Sequence, residues 1–159
     1  MFFKNIIDGA DLGNIRKKFR DKKIVLGTGC FDLLHVGHIY FLDMCRKQGD
    51  MLVIGINSDK AVSNMKGNTR PIVNQNERAI IISYFKYVDF VFVCDSIFAD
   101  ESIIQLKPDV FAIGEQSVDT FHSEVEAAKD VGSSIYVVKR IPFLSTTSII
   151  TSIVNSKDK

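Results

Sequence analysis

The amino-acid sequence predicts an α/β fold, a doubly wound, five-stranded parallel sheet in a single domain, and three observations carry that expectation. Short apolar runs (IVL, MLVIGIN, FVFVCD, VFAIG and SIYVVK) alternate with stretches whose apolar residues recur at helical spacing. The runs are continuously apolar, as strands covered on both faces must be. At 159 residues the chain has the size of one domain, 1–159, and can bury a good core.

Each element has its own justification. In DLGNIRKKFR, Leu12, Ile15 and Phe19 share one face, giving a short amphipathic helix. Ile24–Leu26 form the first strand, after which Gly27 and Gly29 are expected to turn the backbone into a helix that opens near His38 and stops at Gly49. MLVIGIN at 51–57 is the second strand, and Asn57, Ser58 and Asp59 at its end are either a helix cap or ligand contacts. Residues 64–78 form a long polar loop broken by Gly67 and Pro71 and carrying Lys66, Arg70 and Arg78, either a binding loop or merely solvated. A helix follows over 77–86, a third strand over 90–95, a short helix over 99–106 and a fourth strand over 110–114. Another helix spans 122–131, a fifth strand 134–139, and SIITSIVN closes the chain as a helix capped by Ser145, Thr146 and Thr147. Right-handed crossovers in the order 3-2-1-4-5 place the switch point between strands one and four, so GTGCFD and IGEQ face each other across a crevice.

Composition narrows the function. Twenty basic and nineteen acidic residues are interspersed, for a formal net charge of +1, which argues against a nucleic-acid footprint or a membrane-surface patch and for a small-molecule partner. Cys30, Cys45 and Cys94 are odd in number and set among apolar residues, which suits reduced thiols and a cytoplasmic protein. Lys4 and Asp8 interrupt the N-terminus too early for a secretory signal, and no apolar run approaches membrane-spanning length. The chemistry concentrates in residues 24–38, where strand, glycines and helix N-terminus make an anion site and His35-Val36-Gly37-His38 adds two imidazoles. With Asp32 these could instead hold zinc, although no further His or Cys lies at a ligand spacing, or they could be structural.

GCFDLLHVGH resembles the G-x-F-D-x-x-H-x-G-H signature of the HxGH nucleotidyltransferases, in particular the cytidylyltransferase-like group, with a Rossmann-like core over about 22–153. Lys66-Gly67-x-x-Arg70-Pro71 followed by Arg78 resembles the loop of the heptose-phosphate adenylyltransferases, and Arg140 with Ser145, Thr146 and Thr147 matches the family's closing motif. The resemblance implies that an acceptor phosphate, on a sugar or polyol, attacks the α-phosphorus of ATP or CTP and releases pyrophosphate, with Mg²⁺ travelling on the triphosphate. His35, His38 and Lys47 would then be catalytic; Thr28, Gly29, Cys30, Phe31, Asp32, Gly37, Gly114, Glu115, Arg140 and Ser145–Thr147 would bind nucleotide. Asn57, Asp59, Lys66, Arg70 and Arg78 would meet the acceptor or the phosphates, and a homodimer is expected. Two places depart from the family. Ile113-Gly114-Glu115-Gln116 replaces the Lys-Gly-Gly-Asp of the heptose enzymes and is closer to the Met-Gly-Asp-Asp of glycerol-phosphate cytidylyltransferases, which have Thr where this chain has Ile141. A CDP-polyol product is therefore the alternative to an ADP-sugar, and a nucleotide-sensing module without turnover is the alternative of another class.

Overall fold

The computed structural model describes residues 5–115, 122–142 and 144–156. A 3₁₀ turn at Gly9–Asp11 leads into α1 (Leu12–Lys18), followed by β1 (Ile24–Gly29), α2 (Val36–Arg46), β2 (Met51–Asn57), α3 (Asp59–Lys66), α4 (Gln75–Ser83), β3 (Phe90–Cys94), α5 (Asp100–Leu106), β4 (Val110–Gly114), α6 (His122–Asp130), β5 (Ser134–Val138) and α7 (Thr146–Asn155). The five strands lie in the order β3-β2-β1-β4-β5, all neighbours parallel, as the sequence predicts.

Strand alternation divides the core into two layers. Ile24, Leu26, Val53, Phe92, Phe111 and Ile113 pack on one side with Leu12, Ile103, Leu106 and Ala128 from α1, α5 and α6. Val25, Leu52, Ile54, Ile56 and Ala112 point the other way, against Leu42 and Cys45 of α2 and Ala79 and Ile82 of α4. Each fully buried aliphatic side chain of this kind contributes about 1.5–3 kcal/mol. The three cysteines are free thiols. No helix among the described residues is long and apolar enough to cross a membrane.

The expected glycine turn is not where the chain turns. Gly27 and Gly29 are both inside β1, paired with Ile54 and Ile56, because their backbone groups are taken up by the β2 ladder. The reversal falls at Phe31, a buried residue with φ of 47°, a left-handed conformation that costs a side-chain-bearing residue about 1–2 kcal/mol. Gly49 is required for close approach, since a Cβ there would lie 2.5 Å from the Lys23 carbonyl oxygen. The pairing of β1 with β4 stops at Gly27 and Ala112, while that with β2 continues to Gly29 and Ile56. The sheet thus opens between β1 and β4, at the switch point where such folds hold ligands.

Candidate active site

A cleft of about 390 Å³ occupies this opening. Its head is the N-terminus of α2, where His35, Gly37 and His38 line the cavity. His35 is the N-cap: its Nδ1 accepts the Gly37 N–H at 3.1 Å, and His38 Nδ1 accepts the His35 N–H at 3.3 Å. With both Nδ1 atoms acting as acceptors, each neutral ring carries its proton on Nε2, so two Nε2–H donors remain for a ligand. The rings stack with centroids 3.9 Å apart. Gly37 has no side chain because a Cβ would meet the His35 ring at 2.8 Å.

Burial lowers the His38 pKa to about 4, with His35 and Lys66 adding to the shift against Asp32. Burial and then Arg140 lower that of His35. Both rings are neutral at pH 7 and serve as hydrogen-bond donors, not as fixed charges. Among the described residues no group of three His, Cys, Asp or Glu side chains is placed to hold a metal ion.

The expected nucleotide residues Thr28, Gly29, Cys30, Phe31, Asp32, Gly37, Gly114, Arg140, Ser145, Thr146 and Thr147 all line this cleft with both histidines. Ser145 caps α7, its hydroxyl accepting the Ser148 N–H at 3.0 Å, and the Thr146 hydroxyl donates to the Leu33 carbonyl at 3.2 Å, which ties α7 to the α2 entry loop. Two helix N-termini therefore converge on one cavity. Glu115 does not line it; its carboxylate accepts the Arg140 N–H at 3.2 Å and links the ends of β4 and β5. Gln116 lies outside the described residues.

The acceptor-side residues divide. Asn57 and Lys66 line the cleft. Ser58 caps α3 through the Ala61 N–H, so the cap alternative describes that residue. Arg78 does not face the cleft: it is 0% exposed and donates to the Val73 carbonyl at 2.9 Å, to the Cys30 carbonyl and to Asp59 at 2.7 Å. Its guanidinium staples the end of β1 to the 67–74 loop and engages one oxygen of Asp59, whose side chain remains partly exposed outside the cleft lining. Arg70 is likewise withdrawn. Its Nε donates to Asp32 at 2.7 Å, and its Nη2 lies 2.6 Å from the same oxygen without hydrogen-bond geometry. Asp32 also accepts the Ile72 and Val73 N–H groups at 2.9 Å. Burial alone would raise its pKa, but those two amides and Arg70 together hold it below the usual carboxylate value. Lys47 sits at the C-cap of α2, paired with Asp43 at 2.6 Å and away from the cleft.

Sequence reasoning missed Tyr40, Phe41, Met65, Ile97 and Glu124 in the cleft wall. Glu124 stands in the first turn of α6, where an acidic residue reads as a favourable helix end, so nothing in the sequence marks it as buried.

Residues 26–152 match the model of the cytidylyltransferase-like family. The chain belongs to that family. Among curated relatives, the bifunctional protein HldE of Campylobacter jejuni subsp. doylei is 35% identical over 156 residues, 98% of this chain and 33% of its own length. The HldE of Desulfatibacillum aliphaticivorans is 39% identical over 146 residues, 92% of this chain and 29% of that protein. This cytidylyltransferase-like chain thus spans about a third of the length of those relatives. Among solved structures, the lipopolysaccharide core biosynthesis protein of Thermoplasma volcanium superposes with a TM-score of 0.59 at 29% identity, over 77% of this chain and 99% of that one. Pantoate-beta-alanine ligase of Francisella tularensis, at TM-score 0.58 and 19% identity over 96% of this chain and 77% of its own, shares the fold.

Proposed function

We propose that this chain transfers a nucleoside monophosphate from ATP to a phosphorylated sugar of the heptose type, releasing pyrophosphate. An acceptor phosphate oxygen attacks the α-phosphorus, the bond to the β-phosphate oxygen breaks, and pyrophosphate leaves with that electron pair. The observation that carries the reading is the pair of neutral, stacked imidazoles whose Nε2–H donors are held at the α2 N-terminus. Donors preorganised where negative charge builds up are worth roughly 10²–10³ in kcat, or about 3–4 kcal/mol. Arg140 and the α7 N-terminus would bind the β- and γ-phosphates and Lys66 would neutralise the acceptor phosphate, a reading supported by their all lining the cleft. Mg²⁺ would arrive on the triphosphate and draw most of its ligands from phosphate oxygens and water.

The heptose-type acceptor is supported by Lys66-Gly67-x-x-Arg70-Pro71 and by relatives named HldE and for lipopolysaccharide core biosynthesis. Glu115 in place of the heptose-type segment supports the second reading, a CTP-dependent transfer to a polyol phosphate. We infer a cytoplasmic homodimer, in keeping with the three free thiols and the family. A pyrophosphate-release screen of ATP and CTP with Mg²⁺ against sugar and polyol phosphates decides among these. Release with ATP and a heptose phosphate is expected; release only with CTP and a polyol phosphate selects the second reading, and none with any pair overturns both.

A further inference from the structure

One group in the cleft wall has no part in the transfer as described above. Glu124 is 3% exposed and still lines the cleft. Its Oε1 accepts the Ala99 N–H at 2.8 Å, while its other carboxyl oxygen has no hydrogen-bond partner among the described residues and is not wholly enclosed. Holding the Ala99 amide needs only one acceptor, so that task leaves the second oxygen unexplained. Burial pushes the carboxyl up to about 7, and Asp100 adds to the effect against the Ala99 amide. In either protonation state such a group bonds a hydroxyl, as acceptor or as donor.

The surroundings say which part of a substrate belongs there. Two cations of the cleft, Arg140 and Lys66, stand at the imidazole end, where Arg140 acts on His35 and Lys66 on His38. A buried carboxyl repels phosphate, so phosphates bind at that end and a different moiety meets Glu124. Asn57 shares this wall and is itself buried, with long contacts only, 3.5 Å to the Ile97 carbonyl and 3.7 Å from Cys30 Sγ. Asn57 and Glu124 are both tied to the segment 97–99, which brings an amide and a carboxyl together beside the apolar Ile97.

We propose that Glu124 is a specificity-determining residue that, with Asn57, hydrogen-bonds hydroxyl groups of the phosphorylated acceptor and so selects a polyhydroxylated one. This inference rests on the transfer reaction proposed above. The test compares wild type, Glu124→Gln and Glu124→Ala in pyrophosphate release, at saturating ATP, with the accepted sugar phosphate and its single-deoxy analogues. Wild type should discriminate at least about tenfold against one of the deoxy analogues, since a site built for a hydroxyl rejects a ligand lacking it. Both variants should lose that discrimination and raise the acceptor KM about tenfold, with the KM for ATP unchanged. Glu124→Gln retains an oxygen for Ala99 and should keep the wild-type melting temperature, so it carries the test even if Glu124→Ala fails to fold. Unchanged acceptor KM and discrimination in Glu124→Gln, or a raised KM for ATP in place of the acceptor's, overturns the proposal. Wild type inert toward every sugar phosphate would instead show that the transfer reading itself has failed, and this inference with it.

Discussion

His38 shows how one side chain couples stability to chemistry. Its imidazole, with an ordinary value of 6.5, is held at about 4, so between those values the unfolded chain carries a proton that the native chain does not. The stability tied to the neutral ring is complete above 6.5 and is lost as pH falls toward 4. Wild type should therefore lose more melting temperature than His38→Asn between about pH 7 and pH 4.5 in thermal unfolding scans. Glu124 works in the opposite sense: its raised value means that its contribution is present below 4.5 and is lost as pH rises through about 7, and it is common to both proteins. Parallel pH profiles for the two would show that His38 titrates normally. Arg78 carries a second prediction at this level. Because it is fully buried among three protein acceptors, Arg78→Ala should cost about 3 kcal/mol in denaturant unfolding. A loss of activity at unchanged stability would return Arg78 to the substrate contact that the sequence suggested. Its place in a polar, cation-rich stretch hid its burial, since charge in sequence does not reveal whether a partner such as Asp59 awaits it.

The 67–74 loop depends on Asp32, which holds it through two backbone amides and Arg70. Asp32→Asn discharges the carboxylate and leaves the Arg70 guanidinium unbalanced in a nearly closed site. Hydrogen exchange at the Ile72 and Val73 amides should then quicken at least about tenfold while core strands are unaffected. Exchange rates unchanged at both amides would mean that the loop is held by something other than Asp32. The elements themselves were readable from period and punctuation: MLVIGIN, VFAIG and the α7 cap fall where the sequence places them. The turn after β1 was not, because glycine permits a turn without compelling one, and the β2 ladder claims Gly27 and Gly29 before the chain reverses at Phe31.

Across the fold, the order β3-β2-β1-β4-β5 decides where the cleft opens, since β1 parts from β4 beyond Gly27 and the N-termini of α2 and α7 meet above the gap. That convergence was legible because each half is a local motif, His35-x-Gly-His38 in one and Arg140 with Ser145–Thr147 in the other. The wall proposed for the acceptor was less so, as Asn57 at the end of β2, Ile97 between β3 and α5, and Glu124 in α6 are united only by tertiary packing. The most direct test is mass spectrometry of the product, with pyrophosphate counted in the same reaction, for wild type and His38→Ala supplied with ATP, Mg²⁺ and a heptose phosphate. The geometry predicts one pyrophosphate per nucleotide-sugar formed by wild type, and a rate at least about a hundredfold lower in a variant that still folds and binds nucleotide within about tenfold. A nucleotide-sugar formed at equal rates by both proteins, or none formed by wild type, would contradict it.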